Sequence, residues 1–142
     1  MSDEKPAGYW ITPPIQSFIG LEIQPGEVDA KLELPLTDRV SGWGPVHGGV
    51  LALLADTCCA VAVMTVVDGE RELPASTDLH VRYFKQPREG PLRAEGVVVN
   101  RGSKSVAAEC EIRDGQDRLI AKATGSYTLF EIDKRTDIRP PE

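Results

Sequence analysis

Cysteine is scarce in this chain, and its number is odd. The three cysteines include two neighbours, Cys58 and Cys59, which could not easily bridge each other. A small domain that depends on a disulfide framework is therefore not expected. We expect the thiols to be reduced and to behave as small buried apolar side chains.

A surplus of basic residues is also missing. The 16 Lys and Arg residues stand against 22 Asp and Glu residues, which gives a net charge of −6, and no local basic patch is evident. Because the field of such a protein repels a phosphate backbone, no nucleic-acid partner is expected. The segment Met1–Pro6 lacks the apolar region that directs export. Together with the reduced thiols, this predicts a cytoplasmic location.

Only one long apolar run is present, and it covers residues 44–69: GPVHGGVLALLADTCCAVAVMTVVDG. Residues 48–67 are long enough to span a membrane, but Asp56 lies near their middle, no second span exists and no basic flank marks an inner face. The run is therefore predicted to be a helix that is apolar on nearly all sides and is wrapped in protein, with no membrane partner. Gly69 is predicted to end this helix at its C′ position.

The rest of the chain is predicted to form strands. Apolar and charged residues alternate from 28 to 34, the period of a half-buried strand, and the apolar residues of 19–23 precede them across a Pro25-Gly26 turn. After the helix, four more strands are predicted at 76–83, 91–101, 104–113 and 118–130. The turns Asn100–Ser103 and Asp114–Asp117 are short and contain glycine, which predicts antiparallel hairpins.

Length and element order predict a single domain. The 142 residues suffice for one core, and an antiparallel sheet with one apolar face needs the apolar helix to cover it. We therefore predict an α+β fold in which a curled antiparallel sheet of about six strands wraps around one long central helix. The domain covers residues 1–142, with a core at 15–130, an N-terminal arm at 1–14 and a polar tail at 133–142.

The start of the helix, His47-Gly48-Gly49, has features of a binding site. The first N–H groups of a helix have no partner within it and can receive an anion or a polarised carbonyl oxygen. Asp56 lies about 12 Å further along the axis and, relative to His47, on the opposite side. One chain cannot bring both ends to one substrate atom, whereas two antiparallel helices related by a two-fold axis can.

The motif Gly44-x-x-His47-Gly48-Gly49, followed by Asp56 and by the strand Ser76-Thr77-Asp78-Leu79-His80-Val81-Arg82-Tyr83, resembles a known family. It is similar to the hotdog-fold acyl-CoA thioesterases of the phenylacetate-pathway and thioesterase superfamily member 2 type. The resemblance covers residues 15–130 and agrees with the element order predicted above. It implies a homodimer or homotetramer with sites shared between chains, and coenzyme A as part of the substrate, with no cofactor and no metal.

The resemblance also implies a role for each residue of the motif. Asp56 is the nucleophile or the general base for water, and the Gly48 N–H holds the thioester oxygen. His47 orients the thioester end, and Ser76 helps to hold the water. Glycine at position 49 lets the substrate approach the backbone closely. These roles fit the chemistry, since thioester hydrolysis needs a base or nucleophile and donors aimed at the developing oxyanion.

One position departs from the family pattern. Relatives usually carry Asn or Gln six residues before the histidine, whereas this chain has Ser41. A hydroxyl is shorter than an amide and cannot offer a donor and an acceptor in the same way. Ser41 is therefore a candidate for a weaker contact with the substrate or its water.

Four basic side chains are candidates for the phosphates of coenzyme A: Lys85, Arg88, Arg101 and Lys104. The alternative for each is an ordinary solvated position.

Two functions of different classes stay open at this point. The chain could hydrolyse acyl-CoA thioesters, or it could be a non-catalytic hotdog module that binds acyl-CoA as a sensor or carrier. Asp56 favours the enzyme, because a pure binder has no reason to bury a carboxylate that faces the thioester. A hydratase on the same fold would ordinarily need a histidine after Asp56 on the helix, and none is there.

Overall fold

Within residues 14–24 and 29–132, which the computed structural model describes, the chain forms two α-helices, six β-strands and a short 3₁₀ helix. The elements in chain order are α1 (Pro14–Ile19), β1 (Glu22–Ile23), β2 (Ala30–Leu34), the 3₁₀ helix (Asp38–Val40), α2 (Gly48–Met64), β3 (Glu72–Tyr83), β4 (Leu92–Arg101), β5 (Ser105–Arg113) and β6 (Leu119–Glu131). The predicted polar tail, the Pro25-Gly26 turn and the predicted arm up to residue 13 lie outside the described residues.

The six strands form one antiparallel sheet in the order β1-β2-β4-β5-β6-β3. Strands β4, β5 and β6 lie side by side, as their short glycine-containing turns predict. Strand β3 follows α2 in the chain and pairs with β6 at one edge of the sheet. The predicted α+β fold, a six-stranded antiparallel sheet with one main helix, is confirmed.

Helix α2 packs against the sheet and contacts β2 to β6. Its buried residues come from nearly all sides of the helix: Leu51, Leu54, Ala55, Thr57, Cys58, Cys59, Ala62 and Val63. They meet inward-facing strand residues such as Leu32 and Ile112, which are no more than 1% exposed. Full burial of one such side chain contributes roughly 1.5–3 kcal/mol, so this contact supplies much of the core.

Gly96 on β4 allows the helix to approach the sheet closely. A Cβ atom at this position would lie 2.9 Å from Cys58 Sγ and 3.2 Å from the Cys58 carbonyl oxygen. Only glycine fits so near a backbone oxygen without moving the helix. Cys58, Cys59 and Cys110 are free and buried, and the burial of Cys58 and Cys59 confirms the prediction that they are small buried side chains.

Helix α2 ends earlier than predicted. The Thr65 hydroxyl donates to the Ala62 carbonyl oxygen at 2.7 Å, and the Thr65 N–H donates to the same oxygen at 3.1 Å. These bonds close the last turn, so the prediction that Gly69 ends the helix was wrong. No helix in the described ranges is long and apolar enough to cross a membrane.

The first hairpin is shorter than predicted. Strands β1 and β2 pair with Ile23 opposite Leu32, but Ile19 belongs to α1 rather than to a strand. Gly20 follows α1 with a φ of +80° and donates its N–H to the Ser17 carbonyl oxygen at 3.1 Å, which ends the helix. The apolar alternation at 19–23 therefore covers a helix end and a short strand.

Candidate active site

Two hydroxyl groups from the sheet hold the carboxylate of Asp56, which lies in the middle of α2. Ser76 Oγ donates to Asp56 Oδ1 at 2.8 Å, and the Tyr127 hydroxyl donates to the same oxygen at 2.9 Å. The Tyr127 hydroxyl also lies 2.9 Å from the main-chain oxygen of Asp56. No donor among the described residues reaches Asp56 Oδ2, so one carboxylate oxygen is fixed and the other is available.

The strand register brings these two hydroxyls together. Ser76 on β3 lies directly opposite Tyr127 on β6, and directly opposed residues of an antiparallel pair share one face of the sheet. The register shifts immediately afterwards, between Ser76 and Asp78. The intervening Thr77 donates its hydroxyl to the Ser126 carbonyl oxygen at 3.1 Å. The bulge therefore follows the position at which both hydroxyls face α2.

Sequence reasoning missed Tyr127. The inward positions of β6 carry small residues up to Gly125, and a Cβ atom at Gly125 would lie 3.0 Å from Tyr127 Cε2. The tyrosine ring therefore lies over the glycine. A tyrosine at an inward strand position, two residues after a glycine, needs a partner for its buried hydroxyl, and that requirement was the available signal.

Burial determines the protonation of the groups around Asp56. Burial raises the pKa of the Tyr127 hydroxyl far above its usual range, and the nearby negative charge of Asp56 adds to this effect. Burial also raises the pKa of the Cys59 thiol to about 12, with smaller effects from Cys110 and Asp56. Tyr127 is thus a hydrogen-bond donor near neutral pH, and Cys59 is not a nucleophile.

His47 caps the start of α2 with its own side chain. Its Nδ1 accepts the Gly49 N–H at 2.9 Å, and its carbonyl oxygen accepts the N–H groups of Val50 and Leu51 at 2.9 and 3.3 Å. A neutral His47 ring therefore carries its proton on Nε2. The Gly48 N–H has no acceptor among the described residues, so it is the donor of the first turn that can meet a substrate.

An open depression of about 510 Å³ lies beside Gly48. Gly49, Tyr83 and Lys85 line it together with Gly48, and the Tyr83 hydroxyl donates to the Gly48 carbonyl oxygen at 2.8 Å. Of the four predicted phosphate ligands, Lys85 is thus brought to the helix start. Its ammonium group and the positive end of the helix favour an anionic ligand here.

The other predicted ligands lie elsewhere in the chain. Arg101 is at the opposite end of α2, where it donates to the Val66 carbonyl oxygen at 3.3 Å and forms an ion pair with Glu72 at 3.4 Å. Lys104 is exposed in the hairpin between β4 and β5. Arg88 is exposed as well, and its main-chain N–H donates to Asp114 Oδ2 at 3.1 Å.

Ser41 lies in the loop that leads to His47. Its hydroxyl donates to the Asp38 carbonyl oxygen at 2.7 Å, which closes the 3₁₀ helix. The hydroxyl oxygen keeps its capacity to accept a hydrogen bond, so a contact with water or substrate stays a prediction. In residues 14–24 and 29–132, no group of three or more His, Cys, Asp or Glu side chains is arranged to hold a metal ion.

Residues 44–121, more than half of the chain, match the family model described as the thioesterase superfamily. The chain belongs to this superfamily. The matched segment includes the start of α2, Asp56 and Ser76, whereas Tyr127 lies beyond it. Family membership supports hydrolysis of a thioester as the general class of activity.

Similar proteins agree with this assignment. A protein of Saccharolobus solfataricus named "Putative esterase" is 30% identical over 71% of this chain and 71% of its own length. A thioesterase of Haemophilus influenzae has a TM-score of 0.79 at 20% identity, which covers 86% of this chain and 87% of that one. A Bacillus halodurans protein, solved with CoA, has a TM-score of 0.67 at 26% identity and covers 70% of this chain and 66% of that one. The shared architecture is the hotdog fold.

Proposed function

We propose that this chain is an acyl-CoA thioesterase of the phenylacetate-pathway type, which hydrolyses a thioester to a free acid and coenzyme A. One observation carries the proposal. The Asp56 carboxylate has Oδ1 fixed by Ser76 and Tyr127, while Oδ2 has no donor among the described residues. A carboxylate oriented in this way suits attack or proton abstraction better than a purely structural role.

Asp56 can act in two ways. As a general base, Oδ2 takes a proton from water, the hydroxide adds to the thioester carbonyl, the C–S bond breaks, and the thiolate recovers the proton from Asp56. As a nucleophile, Oδ2 adds to the carbonyl and expels the thiolate, and water then hydrolyses the mixed anhydride. In both cases negative charge develops on the carbonyl oxygen, and the Gly48 N–H stabilises it.

The other residues of the site bind and orient the substrate. The neutral His47 ring offers Nε2–H to the thioester end, and Ser76 and Ser41 contact the attacking water. Gly49 leaves room for the His47 ring and the substrate beside it, since a Cβ atom there would lie 3.0 Å from His47 Nδ1. Lys85 meets a phosphate of coenzyme A in the depression beside Gly48.

The working unit in this proposal is a homodimer or homotetramer with shared sites. Strand β3 is 12 residues long and forms an edge of the sheet, and such a long edge is suited to pairing with another chain. A two-fold axis would bring the Gly48 N–H of one chain to Asp56 of the other. Arg88, Arg101 and Lys104 are then candidates for phosphate contacts across the boundary. The free, buried cysteines support a reducing compartment, the cytoplasm.

A panel of acyl-CoA thioesters tests the proposal directly. A reagent that reacts with free thiols reports release of coenzyme A, and titration calorimetry measures binding of the same compounds. We expect thiol release from at least one member of the panel. Binding without release would contradict the proposal and would favour a non-catalytic acyl-CoA sensor or carrier.

A further inference from the structure

The Tyr127 hydroxyl faces two acceptors on the same residue. It lies 2.9 Å from Asp56 Oδ1 and 2.9 Å from the main-chain oxygen of Asp56, and the tyrosine is only 1% exposed. A phenol has one proton, so it can fully serve one of these acceptors at a time. Which of the two oxygens accepts the hydrogen bond therefore depends on the charge of the Asp56 carboxylate.

We infer that Tyr127 is a positioning residue for Asp56, because it fixes Oδ1 so that Oδ2 faces the reacting centre. When the carboxylate becomes neutral, the Tyr127 hydroxyl rotates and donates its hydrogen bond to the main-chain oxygen instead. This inference rests on the proposed function. While Asp56 is negative, the Tyr127 hydroxyl donates to Oδ1, since hydrogen bonds to a charged acceptor are the stronger ones. Once Asp56 has taken a proton or an acyl group, the main-chain oxygen becomes the better acceptor.

Burial makes Tyr127 hard to replace in this role. Ser76 donates to the same Asp56 oxygen, but Ser76 is exposed, so water can substitute for its hydroxyl. Tyr127 is enclosed, and removal of its hydroxyl would leave Oδ1 without that donor. We therefore expect Tyr127→Phe to impair catalysis more than Ser76→Ala.

Gly125 provides a second way to test the same contact. A Cβ atom at Gly125 would lie 3.0 Å from Tyr127 Cε2 and 3.3 Å from its hydroxyl oxygen. Gly125→Ala therefore keeps the phenol but pushes the ring from its position. Displacement of the ring and deletion of the hydroxyl should affect Asp56 in the same direction.

The experiment compares Tyr127→Phe with the unaltered protein on its best acyl-CoA. We expect kcat to fall about tenfold or more, the size expected for one hydrogen bond to a charged group, with little change in KM.

Thr57→Val is the matched control. Thr57 is the next residue on α2, is 8% exposed, and accepts its hydrogen bond from Gln16 Nε2 at 3.1 Å rather than contacting the Asp56 carboxylate. This variant should lose a buried hydroxyl without a change in kcat or in KM. Should Tyr127→Phe fail to fold, Gly125→Ala takes its place in the comparison, with the same expected fall in kcat.

The outcomes separate this inference from the proposed function. If Asp56→Asn is inactive while Tyr127→Phe keeps the kcat of the unaltered protein, the inference is overturned and the proposed function stands. If Asp56→Asn is as active as the unaltered protein, the role of Asp56 is overturned and this inference with it. If no acyl-CoA of the panel releases a thiol, the proposed function itself is overturned.

Discussion

The imidazole of His47 lies over Gly49, with Nδ1 accepting the Gly49 N–H at 2.9 Å, and a Cβ atom at position 49 would stand 3.0 Å from that nitrogen. The two residues thus form one capping unit in which glycine makes room for the histidine ring. His47 has a structural task as well as its proposed one, and the two can be separated by mutation.

Replacement of His47 should distinguish capping from chemistry. Because the side chain accepts a first-turn N–H, His47→Ala should lower the free energy of unfolding by about 1 kcal/mol. Asparagine is a good capping residue but has no imidazole Nε2–H, so His47→Asn should recover the stability without recovering full kcat. Urea unfolding and kcat measured on the same preparations provide the test. An Asn variant as unstable as the Ala variant would contradict the capping role.

Asp56→Asn should abolish turnover and leave the fold intact. The amide oxygen can still accept from Ser76 and Tyr127, whereas the base or nucleophile is gone, so kcat should fall by at least about a hundredfold. The thiol-release assay gives the rate, and thermal unfolding checks that the variant is folded. Retention of the original kcat would rule out Asp56 as the reacting group.

The fold and two of the three residues of the Asp56 cluster could be predicted from the sequence. Alternation and glycine turns predict the strands, the helix motif points to Asp56, and the family resemblance points to Ser76. Tyr127 was not predicted because its contact with Asp56 depends on the β3–β6 register, which places it opposite Ser76 from a distant part of the chain. The helix end was missed because the Thr65 side chain, rather than a glycine, closes the last turn.

Asp114 was not predicted from the sequence, and it holds the loop that carries Lys85 and Arg88. Its side chain is fully buried and accepts from the Arg118 guanidinium at 2.8 Å and from the main-chain N–H groups of Arg88, Gln116 and Arg118 at 3.0–3.1 Å. Arg118 also donates to the Gln86 carbonyl oxygen at 3.0 Å. The turn between β5 and β6 is thereby tied to the loop after β3.

The acid stability of the protein should depend on Asp114. Burial alone would raise the pKa of this carboxyl, but Arg118 and the main-chain donors outweigh it and hold the pKa far below its usual value. A group with a depressed folded pKa stabilises the protein above its unfolded pKa, about 3.9, and loses that contribution as pH falls through the range below it. Asp114→Asn should therefore lower the free energy of unfolding at pH 7 by about 1.5–3 kcal/mol.

Urea unfolding of both proteins between pH 7 and pH 3 measures this difference. The gap between the unaltered protein and Asp114→Asn should be widest near neutral pH and should narrow as the acid range is entered. A gap of constant width would show that the ionised form of Asp114 contributes no stability of its own. Glu111→Gln, which changes a half-exposed acid on β5, serves as the control and should have a small effect.

The last prediction is that each site is built from two chains. The Gly48 N–H and the Asp56 carboxylate are separated by about 12 Å along one helix, whereas both must come within about 3 Å of the reacting atoms. Gly48→Pro removes the N–H and suits the first position of a helix, since the preceding His47 has a ψ of 135°, which is compatible with proline. Gly48→Ala keeps the N–H, and its Cβ would meet the Tyr83 ring at 3.8 Å, an ordinary contact, so it should remain active.

Mixing Asp56→Ala with Gly48→Pro then tests the shared site. Each variant alone should be inactive. In a mixed dimer with shared sites, one site carries both lesions and the other carries neither. With random exchange of equal amounts, half of the dimers are mixed and half of their sites are intact, so roughly one quarter of the original activity should return. If each site belonged to one chain, every site in the mixed dimer would carry one lesion. No activity would then return, and verified subunit exchange without recovery would exclude the shared site.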